Sequence, residues 1–143
     1  MNEIEYAYVI KRVKAYPLWL KIALTLWGEA RNQPRDGMIA VGYVMLRREQ
    51  NEMVWDDITS PKQFSCWNIN DPNLEKICNV KLQTDTKLQE CIEIAFGVIS
   101  GEIKDTSNGA DHYHTKNIKP AWAVNMPMVA TIGNHVFRRE SFI

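Results

Sequence analysis

Glu29 is the residue whose surroundings best suit proton transfer. It stands in Gly28-Glu29-Ala30-Arg31, at the end of the apolar run Leu18-Trp19-Leu20-Lys21-Ile22-Ala23-Leu24-Thr25-Leu26-Trp27. The length and composition of that run predict a helix from about Leu18 to Ala30. At helical spacing Glu29 shares a face with Leu26, Thr25, Ile22 and Leu18, so removal from bulk water is expected. Burial disfavours an ionised carboxylate, and the negative end of the helix dipole acts the same way. Both favour the protonated acid that a proton donor near neutral pH must be. A plainer reading pairs Glu29 with Arg31 or Arg35 in an ordinary ion pair.

Other residue types offer fewer options. The three histidines are His112, His114 and His135. On a strand, His112-Tyr113-His114 would put both imidazoles on one face, a spacing that can hold zinc with His135 as a third ligand. The alternative is three histidines hydrogen-bonded in a polar cleft, and neither a Cys–His pair nor an HExxH spacing argues for metal. Five tryptophans are many for this length, and indole faces stack on sugar rings. Trp67, in the cluster Gln63-Phe64-Ser65-Cys66-Trp67-Asn68, is the one most expected at the surface. A two-carboxylate glycosidase would need a second acid across the scissile bond. The loop acids Asp36, Asp71 and Asp111 have no distinguishing context, which directs attention to mechanisms with one essential carboxylate. Cys66, Cys78 and Cys91 show no CxxC pair and read as reduced packing residues, although a Cys66–Cys78 disulfide is conceivable.

The elements that must position these groups follow from pattern. Residues 2–13 read as a short helix or an ordered arm, and Pro17 suits the start of the next helix. Residues 32–37 form a turn by composition. A third helix covers about Met38 to Arg48, apolar almost all round and therefore central; Gly42 and Ala40 would admit a close neighbour, and Arg47-Arg48 complement its dipole. Residues 62–84 read as irregular. Thr86 and Gln89 form a potential capping box for an amphipathic helix that Gly101 stops. Residues 106–115 and 132–138 look like small strands or extended loops. The expected fold is α+β but mainly α, one domain over 1–143, with 1–16 as the N-terminal helix or arm and 17–143 as the core.

Composition narrows the function. Seventeen basic residues balance seventeen acidic ones, so there is no electrostatic footprint for nucleic acid. No apolar stretch is long enough to span a bilayer. The N-terminus, Met1-Asn2-Glu3-Ile4-Glu5-Tyr6, has no signal-peptide pattern, so synthesis in the cytoplasm without export signal is expected.

An ordered set of motifs then carries a family resemblance. Gly28-Glu29-Ala30-Arg31 is followed by Gly37, Ala40-Val41, Arg48 and Gln63-Phe64-Ser65. Further on come Gly101-Glu102, Asp105-Thr106, Gly109-Ala110, His112-Tyr113-His114, Pro120-Ala121-Trp122-Ala123 and Ile132-Gly133-Asn134-His135-Val136-Phe137. In this order and spacing the chain resembles the spore-cortex-lytic, SleB-type cell wall hydrolases over about residues 19–138. The resemblance implies a lysozyme-like domain that cleaves the β-1,4 bond between N-acetylmuramic acid and N-acetylglucosamine as a lytic transglycosylase. It implies Glu29 as general acid, and Gln63, Phe64, Ser65, His112 and Tyr113 as substrate contacts, with Trp67 added as an aromatic candidate. No cofactor and no metal are implied; the partner is the peptidoglycan glycan strand, without membrane insertion, and the protein is expected to be a monomer. A wall-degrading domain without export signal resembles a phage lysis enzyme, an endolysin released to the wall. The chain departs from the pattern at Asn32-Gln33, at Arg47, and at Asp111 where threonine is common. The competing readings are a non-catalytic module binding peptidoglycan or chitooligosaccharides, and a zinc-dependent amidase or peptidase.

Overall fold

The structure is a computed structural model, and it describes residues 1–140. Helix α1, Glu3–Lys14, starts with a capping box in which the Asn2 side chain and Glu5 satisfy each other's backbone N–H groups. It is part of the body, because Ile10 and Val13 are buried in the common core. Helix α2, Leu18–Ala30, has the bounds that its apolar run predicts, with Pro17 in the capping position. It is buried almost throughout and packs against all three helices that follow it.

Helix α3, Arg35–Glu49, begins at Arg35 rather than Met38. Pro34 takes the capping position, and Asp36 in the first turn faces the positive end of the dipole. Residues 35–37 are therefore helical, not turn. The segment 62–84 is less irregular than its composition suggests. A single 3-10 turn spans Ser65–Trp67, and helix α4 spans Pro72–Asn79. Asp71 caps α4 by accepting from the Asn73 N–H at 2.8 Å, and Leu74 and Ile77 anchor it in the core. Helix α5, Thr86–Ser100, is capped by Asp85, which accepts from the Leu88 N–H, so the cap lies one residue before the expected Thr86. Gly101 ends α5 in the left-handed region at φ 79°.

Strands β1 (His112–Thr115), β2 (Met128–Ile132) and β3 (His135–Arg138) form an antiparallel sheet in the order β1-β3-β2. The expected mainly helical α+β architecture is the one observed. Tyr113 pairs with Phe137, and Thr115 with His135, so Tyr113, His135 and Phe137 share the sheet face that meets the helices. The three cysteines are free: Cys66 and Cys91 are buried, whereas Cys78 is exposed at the end of α4 and is not a packing residue.

Candidate active site

Glu29 sits in the last turn of α2, where the buried face of the helix gives way to a cleft. It is partly exposed, and its carboxylate does not lie in the apolar surroundings expected for it. Three donors hold it. The Tyr113 hydroxyl donates to Oε1 at 2.7 Å, the Cys66 N–H to Oε2 at 3.0 Å, and the Ser65 hydroxyl to Oε2 at 3.2 Å. Neither candidate arginine pairs with it. Arg31 turns back to the Trp27 and Gly28 carbonyls and to Asn73, and Arg35 pairs with Glu90 and Glu93.

Gly28 explains how the 3-10 turn can reach Glu29. A Cβ at position 28 would lie 2.8 Å from Cys66 Cβ and 2.7 Å from Ile77 Cδ1. Only glycine lets the turn and α4 close on α2 this tightly. The turn then aims the Cys66 N–H and the Ser65 hydroxyl at the carboxylate. The Cys66 thiol is fully buried, and burial followed by the nearby Glu29 charge pushes its pKa well above the ordinary value. It is an inert thiol, not a nucleophile. Burial and the Glu29 charge also push the Tyr113 phenol well above its ordinary value, so it remains a donor at any working pH.

The cleft around Glu29 has a volume of about 230 Å³ and is bordered by Arg48, Lys62, Gln63, Phe64, Ser65, Asn68 and Tyr113. Glu29 is the one carboxylate among these lining residues. A second hollow of about 400 Å³ adjoins it, shares Arg48, Lys62 and Gln63, and adds Trp55, His112 and Trp122. The loop carrying Gln63 is tied to the helices by Asp57, which accepts from Lys21 Nζ at 2.7 Å and from both the backbone and hydroxyl of Thr59.

A half-exposed glutamate presented by backbone and side-chain donors in an open cleft narrows the choice of families, and the sequence decides it. The family model for cell wall hydrolases matches residues 32–138. The chain belongs to the cell wall hydrolase family. Two solved structures share its fold. The catalytic domain of the germination-specific lytic transglycosylase SleB from Bacillus anthracis is 20% identical, with a TM-score of 0.64 over 87% of this chain and 98% of that one. The catalytic domain of the Bacillus cereus SleB protein is 19% identical, with a TM-score of 0.61 over 85% of this chain and 88% of that one. No curated protein matches the chain.

In this cell wall hydrolase the expected site residues divide into three groups. Gln63, Phe64, Ser65 and Tyr113 border the Glu29 cleft, although Phe64 is nearly sealed at 2% exposure and Gln63 ties its amide nitrogen to the Asp56 and Asp57 carbonyls. His112 borders the second hollow, with Nδ1 2.8 Å from Asp111 Oδ1. Trp67 is in neither. It is fully buried, and its indole N–H donates to Thr25 Oγ1 at 2.9 Å, because the turn folds back onto α2 where a buried threonine supplies the acceptor. The histidines do not converge. His112 and His114 lie on one face of β1 against Trp122, as expected, but His135 lies on the other face against Tyr113. Both His114 nitrogens are already engaged, by the Thr115 carbonyl and by Arg138. No group of three or more His, Cys, Asp or Glu among the described residues is placed to hold a metal ion. Nor, among those residues, is any helix long and apolar enough to cross a membrane. Arg48, Lys62 and Asn68 border the Glu29 cleft without being among the expected site residues, although Arg48 is one of the motif residues. Arg48 was read as a dipole partner, whereas its guanidinium lies over Trp55 at 4.1 Å and donates to the Asp111 carbonyl at 2.9 Å.

Proposed function

We propose that this protein cuts the glycan strand of peptidoglycan at the β-1,4 bond between N-acetylmuramic acid and N-acetylglucosamine, as a lytic transglycosylase with Glu29 as both acid and base. The observation that carries this reading is the single carboxylate in the cleft, held by Tyr113, Ser65 and the Cys66 N–H. Family membership and the SleB-like fold support the choice of substrate.

The steps follow from one carboxyl group. Protonated Glu29 gives its proton to the glycosidic oxygen as the bond from that oxygen to the muramyl C1 breaks. The substrate's own acetamido oxygen supports the positive charge at C1, a role that a second carboxylate fills elsewhere. The muramyl C6 hydroxyl then attacks C1, and ionised Glu29 takes the hydroxyl proton. The product is a 1,6-anhydro sugar, and Glu29 returns to its protonated state. Tyr113 and the Cys66 N–H act throughout as fixed donors that orient the carboxylate and stabilise its ionised form between the two steps.

The test is mass spectrometry of fragments released from purified peptidoglycan by the protein and by Glu29→Gln. Anhydro-muramyl fragments are expected from the unmodified protein, with the rate at least about a hundredfold lower in the variant. Reducing-end muramyl products would show that water, not the C6 hydroxyl, attacks. Retained cleavage by Glu29→Gln would remove Glu29 from the mechanism. Binding without cleavage would leave a glycan-binding module.

A further inference from the structure

Arg48 is buried to 7% exposure, yet it has no acidic partner among the described residues. Of its five N–H donors, Nε alone has a protein acceptor there, the Asp111 carbonyl. The guanidinium carbon lies over the Trp55 ring at 4.1 Å and the Phe64 ring at 5.0 Å, neighbours that restrict its direction. Its remaining donors are not sealed off, because Arg48 borders both the Glu29 cleft and the adjoining hollow. Those donors face the open cleft and are free to meet a bound anion in place of water. Lys62 lies beside the same two hollows, exposed and with no ion-pair partner among the described residues. Its backbone is in the left-handed region at φ 72°, a conformation that a non-glycine residue adopts at some cost, and its N–H is held by Asn68 Oδ1 at 2.7 Å. The acidic groups nearby are Glu29 in the cleft, Asp111, whose carboxylate is already engaged by His112 and the Glu140 N–H, and Asp56, which is exposed in the wall of the second hollow.

Resting on the glycan-cleaving reading above, we propose that Arg48 and Lys62 form a carboxylate-binding subsite that makes this enzyme selective for acidic glycan strands over neutral ones. A fixed guanidinium edge matches a carboxylate in a bidentate fashion, and a nearby ammonium adds charge without geometry. The carboxylate is carried by the sugar beside the scissile bond, either on its lactyl ether or on the peptide stem attached there. Neutral β-1,4 N-acetylglucosamine oligomers have no such group.

The decisive comparison uses purified peptidoglycan before and after its carboxylates are converted to amides with carbodiimide and ammonia. Fragment release is measured for the unmodified chain, Arg48→Lys and Lys62→Gln. The unmodified protein is expected to lose about tenfold or more in kcat/KM on the amidated wall, and Arg48→Lys and Lys62→Gln each to be slower on the native wall and less affected by amidation than the unmodified protein. Equal rates of the unmodified protein on both walls would overturn the proposal. So would variants slowed equally on both, which is what a purely structural role for Arg48 and Lys62 gives. If Arg48→Lys fails to fold by circular dichroism, the unmodified protein and Lys62→Gln decide the matter. If neither wall is cleaved, the glycosidase reading fails by itself, and co-sedimentation with the two walls tests the subsite alone. Weaker retention on the amidated wall then supports it, and equal or absent retention overturns it. Strands stripped of their peptides, which bear a freed lactyl carboxylate, assign the source. In the intact wall the stem's amide bond occupies the lactyl carboxyl, so amidation sensitivity there reports the stem; sensitivity on the stripped strands shows that a bare lactyl carboxylate is bound as well, and its absence there leaves the stem as the source.

Discussion

A carboxyl group that must act first as acid and then as base needs neighbours that hold it in place without carrying charge. In the role proposed for Glu29, Tyr113, Ser65 and the Cys66 N–H would meet that need, since none of them is a cation. Tyr113 is the best fixed of the three. Its ring packs near Phe64, Phe137 and His135 at centroid distances of 6.3, 5.9 and 4.8 Å. Tyr113→Phe keeps that packing and removes only the donor to Oε1. A hydrogen bond to a charged group contributes about 1.5–3 kcal/mol, so kcat is expected to fall by roughly 10–100-fold and the melting temperature to drop as well. Steady-state kinetics on peptidoglycan beside a thermal melt checks both halves, and an undiminished kcat would show that the hydroxyl does not orient the acid. Glu29 was legible in the sequence because a lone acid closing an apolar run is conspicuous. The role of Tyr113 was not, because its bond to Glu29 joins residues far apart in the chain. Trp67 misled for a related reason: polar neighbours in sequence suggested exposure, while its true partner, Thr25, is on α2.

At the scale of elements, two glycines that look alike in sequence differ in what they permit. A Cβ on Gly42 of α3 would meet Val98 Cγ2 at 3.5 Å and Ile94 Cγ2 at 3.8 Å, ordinary contact distances against α5. The close approach expected at Gly42 therefore leaves room for a methyl group. Gly42→Ala is expected to stabilise the protein by about 0.5–1 kcal/mol through helix propensity. Gly28→Ala meets Cys66 Cβ and Ile77 instead, where overpacking of about 1–3 kcal/mol exceeds the propensity gain. Its midpoint in urea should fall while that of Gly42→Ala rises. Activity of Gly28→Ala should drop by more than stability alone explains, because the turn that donates to Glu29 is pushed away. Equal midpoint shifts would show that the fit at Gly28 is loose. The long elements were legible because α2 and α5 carry full apolar patterns. Short ones were not: α4 shows two buried anchors, Leu74 and Ile77, and β2 has its partner in β3 rather than in any alternation of its own. The start of α3 was missed because Pro34 and Asp36 read equally well as turn residues and as the first turn of a helix.

Across the whole molecule, three aspartates fasten the loops and the sheet end, two of them to the helical body, which makes these segments sensitive to acid. Asp57 accepts from Lys21 and Thr59; Asp105 from Arg47, Ser107 and the Gly109 N–H; Asp111 from His112 and the Glu140 N–H. Burial by itself would raise the pKa of each, but the donors and nearby cations outweigh it, and all three lie below the ordinary aspartate value. Their contribution to stability is thus complete above an unfolded value of about 3.9 and is lost as the pH falls through the lower folded values. His135 acts at a higher pH. It is buried beside Tyr113, its Nδ1 has no partner among the described residues, and burial followed by the charge of His114 lowers its pKa. The unfolded chain takes up that proton first, so stability starts to decline below an unfolded value of about 6.5. Thermal melts from pH 8 to pH 2.5 are expected to show a shallow fall below about 6.5 and a steeper one below about 4. His135→Gln should remove the first phase and leave the second. Asp57→Asn should melt lower at neutral pH, with its deficit shrinking in acid as the unmodified protein loses the same contact. A single slope unchanged by either substitution would mean that the sheet and the Gln63 loop are not secured by these groups. Because His135 touches the Tyr113 ring and stays neutral in the folded protein until the pH passes its lowered value, kcat should hold at the onset of the shallow phase and fall only further into acid, where the folded imidazole itself takes up a proton.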